Sequence, residues 1–166
     1  MNKLRQAGQV RRFHTVPTIG HQTVAEHSFN VCMVLLDLFN GAVSANLLKA
    51  AMYHDLPEVE TGDIPATLKW KSKDIANSLK IIEQAFERIY NIEVPLTEDE
   101  QAALKWADMY ELVLYCIDQL NMGNRNMLVI AERGLEYLCE LPPINGTSEA
   151  LLVTAQYRVR SYYEGE

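Results

Sequence analysis

The 166-residue sequence has only three cysteines, Cys32, Cys116 and Cys139, odd in number and far apart in apolar stretches. It has no Cys-x-x-Cys, which argues against both a thiolate zinc site and a disulfide framework. The three are therefore read as reduced residues in or near the core. No hydrophobic run approaches the roughly 20 residues that a bilayer span needs. The basic opening "MNKLRQAGQVRRFHT" has no apolar signal core behind it. A cytoplasmic protein with no membrane contact is expected, and the Asn145-Gly146-Thr147 sequon is then chance. Positive charge is also scarce. A net charge of −7 argues against non-specific duplex binding and any stable nucleic-acid partner, but leaves room for a small anionic ligand. The cations gather at Arg5, Arg11 and Arg12 and again at Lys69, Lys71 and Lys73. Sustained strand alternation, internal repeats, low-complexity tracts and linkers are all missing. What remains is one all-α domain over residues 1–166, with 48% hydrophobic residues to build its core.

Helical periodicity is what the chain does have. Thr23 can cap a helix carrying His27, Val31, Val34 and Leu38 on one face. Ser44 can cap a second through Leu47, Leu48 and Ala51. Pro57 disfavours helix at Leu56, which leaves His54 and Asp55 at its end. A short helical turn over residues 57–60 is closed by Gly62. Ser72 caps a third helix with a stripe of Ile75, Leu79, Ile82, Phe86 and Ile89, read as buried. Thr97 and Glu100 form a capping box for a helix bearing Leu104, Asp108, Leu112 and Tyr115. One more helix occupies residues 126–140. The last is capped by Thr147 or Ser148, and its apolar Leu151, Leu152, Val153 and Tyr157 serve intrachain packing or an interface.

Against this pattern, three helices place a polar group where the apolar stripe calls for a core residue: His27, the pair His54-Asp55, and Asp108. A buried carboxylate is costly unless paired or metal-bound. Two imidazoles and two carboxylates converging between helices have the donor set of a divalent transition metal. The stretch "AAMYHDLPEVETGD" adds Glu58, Glu60 and Asp63 within nine residues of Asp55, a density that a nearby cation makes tolerable.

The pattern His27…His54-Asp55…Asp108, with "TVAEHSFNV", "AAMYHDLPEVETGDIPATLKW" and "LKWADMYELVLYCIDQLNMGN", resembles the HD phosphohydrolase superfamily in its deoxynucleotide-directed branch. The resemblance runs over residues 11–127 and implies an all-α HD-domain bundle. It also implies a resident metal (Mn, Co, Zn or Fe), a possible second ion such as Mg, and homo-oligomers. Carried over by position, His27, His54, Asp55 and Asp108 are the metal ligands. Glu58 matches the catalytic glutamate, which positions the attacking water or protonates the leaving oxygen. Asp63 matches a second acid acting on the water, the sugar 3′-hydroxyl or a second ion. Arg12 and Lys69 stand where the family places phosphate-binding cations. Phe13 stands where relatives carry Trp, against the sugar C2′, a steric route to deoxyribose selection. Glu60, Lys71 and Lys73 read as solvated surface.

Two reactions share such a site. One is a triphosphohydrolase converting dATP to deoxyadenosine and triphosphate, as in phage enzymes acting in the host cytoplasm. The short chain and the "RRFHTVPTI" opening favour it. The other is a 5′-deoxynucleotidase acting on deoxynucleoside monophosphates. No "HDxGK" or Gly-Tyr-Pro signature points to cyclic dinucleotides, and a non-catalytic binding module would be expected to have lost Glu58 or a ligand.

Overall fold

Side-chain caps set most helix starts. The computed structural model describes residues 3–65, 68 and 71–164. After a short α1 (Lys3–Ala7), Thr23 opens α2 (Val24–Leu38) with a capping box closed by Glu26. Ser44 caps α3 (Ala45–Tyr53), which ends at His54. A single turn, α4 (Glu58–Thr61), stops at Gly62, whose φ of 71° lies in the region only glycine enters cheaply. Ser72 caps α5 (Lys73–Tyr90), and the box of Thr97 with Glu100 opens α6 (Glu98–Asn121). A 3₁₀ turn (Arg125–Met127) leads into α7 (Leu128–Glu140), and α8 (Gly146–Glu164) closes the described chain. Strands are absent among the described residues apart from one isolated bridge, Arg11 with Thr23. The helical single-domain expectation holds. No described helix is long and apolar enough to cross a membrane.

At 24 residues, α6 is about 36 Å long and forms the axis. Around it pack α2, α3, α7 and α8. Trp106, Ala107, Val113, Cys116 and Ile117 of α6 meet Val31 and Leu35 of α2 in the core. The contact with α7 is close because Gly134 has no side chain: a Cβ there would stand 2.7 Å from Val113 Cγ2. Any side chain there requires Val113 or the helix packing to shift.

Three expectations need correction. The stripe on α5 is not buried: Ile75, Ile82 and Ile89 are 37%, 39% and 69% exposed, and the helix has no buried residue. Periodicity specifies which face is apolar, not what covers it. Cys139 is exposed, whereas Cys32 and Cys116 are buried. The inward face of α7 runs through Ala131, Gly134, Leu135 and Leu138, and residue 139 falls one step around the helix. The cap of α8 is Asn145, not Thr147 or Ser148: its Oδ1 accepts the Ser148 N–H at 3.0 Å, and Ser148 Oγ accepts the Asn145 N–H at 3.1 Å. On that helix Ala155 and Val159 are buried, and Val153 and Tyr157 are exposed.

Candidate active site

The helices deliver the four metal-type donors to one point. His27 comes from the first turn of α2 and is fully buried. His54 and Asp55 come from the end of α3, and Asp108 from the middle of α6. The Nε2 atoms of His27 and His54 stand 3.2 Å apart. Asp55 Oδ2 lies 3.5 Å from each of them. Asp108 Oδ1 lies 3.0 Å from His27 Nε2 and 3.8 Å from His54 Nε2.

The far side of each imidazole explains why both Nε2 atoms face inward. His54 Nδ1 meets the Ala51 carbonyl at 2.8 Å. His27 Nδ1 meets the Glu111 carboxylate. Carbonyl and carboxylate oxygens only accept, so both Nδ1 atoms donate and both neutral rings carry their lone pair on Nε2. Two lone pairs at this separation, beside two carboxylates, fit a divalent cation. Ligand atoms of His27, His54 and Asp55 all lie within 4.8 Å of one another.

The titration behaviour agrees. Burial opposes the charge on His54, but Asp55 and then Asp108 raise its pKa to about 9. Burial likewise opposes the charge on Asp55 and Asp108. The two histidines nevertheless hold Asp55 below, and Asp108 well below, the usual carboxylate range. The protein thus accumulates opposite charges at this point, and a metal ion entering at neutral pH displaces protons.

A cavity of about 240 Å³ opens beside these donors. Asp55, Glu58, Asp63 and Asp108 line its acidic side, together with Arg12 and Phe13; Met109, Leu112, Ile130 and Tyr137 form its apolar wall. Glu58 is 8% exposed and follows Asp55 through a turn in which the Glu58 N–H donates to the Asp55 carbonyl at 3.1 Å. That turn is why a glutamate three residues on remains at the same centre.

Arg12 and Phe13 arrive from the segment before α2. It is pinned to the helix start by Arg12 N–H to the Gln22 carbonyl and Val24 N–H to the Val10 carbonyl, both 2.9 Å. Burial works against the Arg12 charge, but Asp55, Asp108, Glu111 and Asp63 raise its pKa above the ordinary value. Phe13 has a φ of 56°, a left-handed conformation that costs a non-glycine residue about 1–3 kcal/mol. Two contacts hold it there: its N–H donates to Asp63 Oδ2 at 3.0 Å, and its ring stacks on Tyr115 with centroids 4.9 Å apart. Asp63 therefore also supports the wall of the cavity.

Every expected site residue among those described reaches this locus. Lys69, the remaining one, lies outside the described residues. Glu60 points elsewhere, to Lys3 at 2.7 Å and to the Tyr90 hydroxyl. His14 is exposed, 3.9 Å from Asp63. The sequence reading missed Glu111, Gln22 and Asn30. Glu111 is 2% exposed and stands one helical turn after Asp108, a spacing that marks it as another charge on a buried face.

Comparisons with known proteins bear on the family and the fold. The family model described as YfbR-like, 5′-deoxynucleotidase YfbR-like, matches residues 1–95. The 5′-deoxynucleotidase of Cronobacter sakazakii is 32% identical over 147 residues, covering 75% of this chain and 74% of that protein. The 5′-deoxynucleotidase YfbR of Salmonella newport is 33% identical over 155 residues, covering 80% and 77%. Among solved structures, the cyanophage S-2L HD phosphohydrolase DatZ, bound to dA and one catalytic Zn²⁺ ion, superposes with a TM-score of 0.68 at 19% identity over 96% of this chain and 95% of that one. The PH0347 protein of Pyrococcus horikoshii gives 0.70 at 18% identity over 94% and 96%. At that identity the two structures speak to the fold. The family match and the curated relatives speak to membership, and the chain belongs to the YfbR-like 5′-deoxynucleotidase family.

Proposed function

We propose that the protein is a divalent-metal-dependent 5′-deoxynucleotidase that hydrolyses deoxynucleoside monophosphates to deoxynucleoside and phosphate. The observation that carries this reading is the inward convergence of the His27 and His54 Nε2 atoms, 3.2 Å apart, beside the cavity that Arg12, Phe13 and Glu58 line. His27, His54, Asp55 and Asp108 hold the ion. The chemistry a divalent ion supplies in this position is Lewis acidity toward water and a phosphoryl oxygen. Arg12 binds the phosphate through its guanidinium. Glu58 handles the proton as the water oxygen bonds to phosphorus and the P–O5′ bond breaks, taking it from the water or delivering it to the 5′-oxygen. Phe13, held by Asp63, fills the space beside C2′.

The monophosphate is favoured over the triphosphate on two grounds. The curated relatives, about a third identical, are named 5′-deoxynucleotidases, whereas the phage phosphohydrolase bound to dA shares 19% identity and speaks only to the fold. Arg12 is also the single cation among the described residues lining the cavity, where Glu58 and Asp63 stand beside the two carboxylates given to the metal. A triphosphate tail brings more negative charge to that acidic wall than one phosphate does.

The test is a panel of dAMP, AMP and dATP with Co²⁺ or Mn²⁺, its products resolved by chromatography, for the unmutated protein and Phe13→Ala. The unmutated protein is expected to release inorganic phosphate from dAMP faster than it cuts dATP, and to disfavour AMP. Phe13→Ala is expected to raise the relative rate on AMP by about 10–200-fold, the range one steric contact spans. Release of intact triphosphate from dATP as the faster reaction overturns the proposal. An unchanged deoxy-to-ribo preference removes Phe13 from the sugar wall.

A further inference from the structure

Glu111 is a buried carboxylate with no place in the chemistry above, and both of its oxygens are saturated. Oε1 accepts from Gln22 Nε2 at 2.7 Å and from Asn30 Nδ2 at 3.2 Å. Oε2 accepts from His27 Nδ1 and from Arg12 Nη1, the latter at 3.4 Å. An ionised carboxylate offers about four acceptor sites, and these donors use them all. Gln22 closes a ring, since its Oε1 accepts from the same Arg12 nitrogen at 3.2 Å. The amide orientation of Gln22 is thereby fixed from both ends. Glu111 is 2%, Gln22 3% and His27 0% exposed, so losing a bond among these three would leave a costly buried group, while Asn30 reaches Glu111 from the exposed side.

From this geometry we propose that Glu111 is a positioning residue that ties the metal site to the phosphate site. Through Oε2 it holds the proton of His27 on Nδ1, so that Nε2 faces the metal. Through the same oxygen, and through Gln22, it aims the Arg12 guanidinium into the cavity. One side chain therefore sets the tautomer of a ligand and the direction of the phosphate-binding group. This rests on the metal and phosphate roles given to His27 and Arg12 above. It goes beyond them by making the two arms interdependent.

The test is Glu111→Gln, which keeps size but turns one oxygen into a donor, so at least one of the N–H groups now faces another N–H. Three quantities are read: the Co²⁺ dissociation constant by chelator competition, the dissociation constant of inorganic phosphate, and kcat with KM at saturating metal. Metal affinity is expected to fall about 10–100-fold, as on losing an outer hydrogen-bond partner of a ligating histidine. Phosphate binding is expected to weaken too. Excess Co²⁺ should restore most of kcat while KM stays raised, because added metal refills the histidine site without re-aiming Arg12. A merely structural role would not split the two. A metal affinity within about threefold of the unmutated protein overturns the proposal. Should the variant fail to fold, ¹⁵N spectra of histidine-labelled, metal-loaded unmutated protein decide the matter: the expected signature is a hydrogen-bonded proton on His27 Nδ1, and a proton on Nε2 contradicts it. Failure of the unmutated protein to bind metal overturns the underlying reading and the proposal together, which tells the two failures apart.

Discussion

Asp108→Ala is expected to abolish the proposed hydrolysis of dAMP and to lower the metal content of the purified protein, while far-ultraviolet dichroism still reports the helical fold. Asp108 Oδ1 lies 3.0 Å from His27 Nε2, closer than Asp55 Oδ2 at 3.5 Å, and it comes from α6. Without it, two imidazoles and Asp55 remain, a poorer cage that gives up charge as well as a ligand. The metal's stabilisation of developing phosphoryl charge is worth several kcal/mol, so kcat/KM should fall by about 10³-fold or more. Stability of the metal-free protein should change little, because the Asp108 side chain is 38% exposed and α6 is anchored by Trp106, Ala107 and Val113 on its buried face. A shift of about 2–4 °C in melting temperature corresponds to the 1 kcal/mol scale of such partly exposed pairs. Full activity with unchanged metal stoichiometry would remove Asp108 from the site.

Glu58→Gln separates chemistry from binding. Glu58 lines the cavity, whereas the close approaches around the two Nε2 atoms are made by Asp55 and Asp108. The amide cannot take up or deliver the proton, so kcat is expected to fall about 10²–10⁴-fold. Metal stoichiometry and affinity for inorganic phosphate should stay close to those of the unmutated protein, because a group acting in the transition state affects the rate more than ground-state binding. Loss of metal in this variant, with retention in Asp108→Ala, would exchange the two assignments.

The helices and the metal donors were legible for the same reason: both are local signals read against periodicity. Thr23, Ser44 and Thr97 announce helix starts through side-chain chemistry, and the structure has all three caps. His27, His54-Asp55 and Asp108 stand out because each interrupts an apolar stripe. Glu111 was missed although it stands one turn after Asp108, because its partners Gln22 and Arg12 lie far back in the sequence, in a segment with no periodicity to interrupt. The left-handed backbone of Phe13 was illegible too, since it depends on Asp63, fifty residues away. The apolar stripe of α5 was legible but not its exposure, which depends on what packs there. The choice between mono- and triphosphate was open because both reactions use the same donors; the relatives, not the spacing, favour the smaller substrate.

The most direct measurement strips the metal with a chelator, verifies its loss by elemental analysis, and returns Co²⁺ stepwise while dAMP hydrolysis and bound metal are followed together. If His27, His54, Asp55 and Asp108 hold the ion that the reaction needs, activity vanishes in the stripped protein. It then returns in proportion to bound Co²⁺, with the break at one ion per chain that a single four-donor centre implies. Undiminished hydrolysis of dAMP by protein shown to be metal-free would contradict the account.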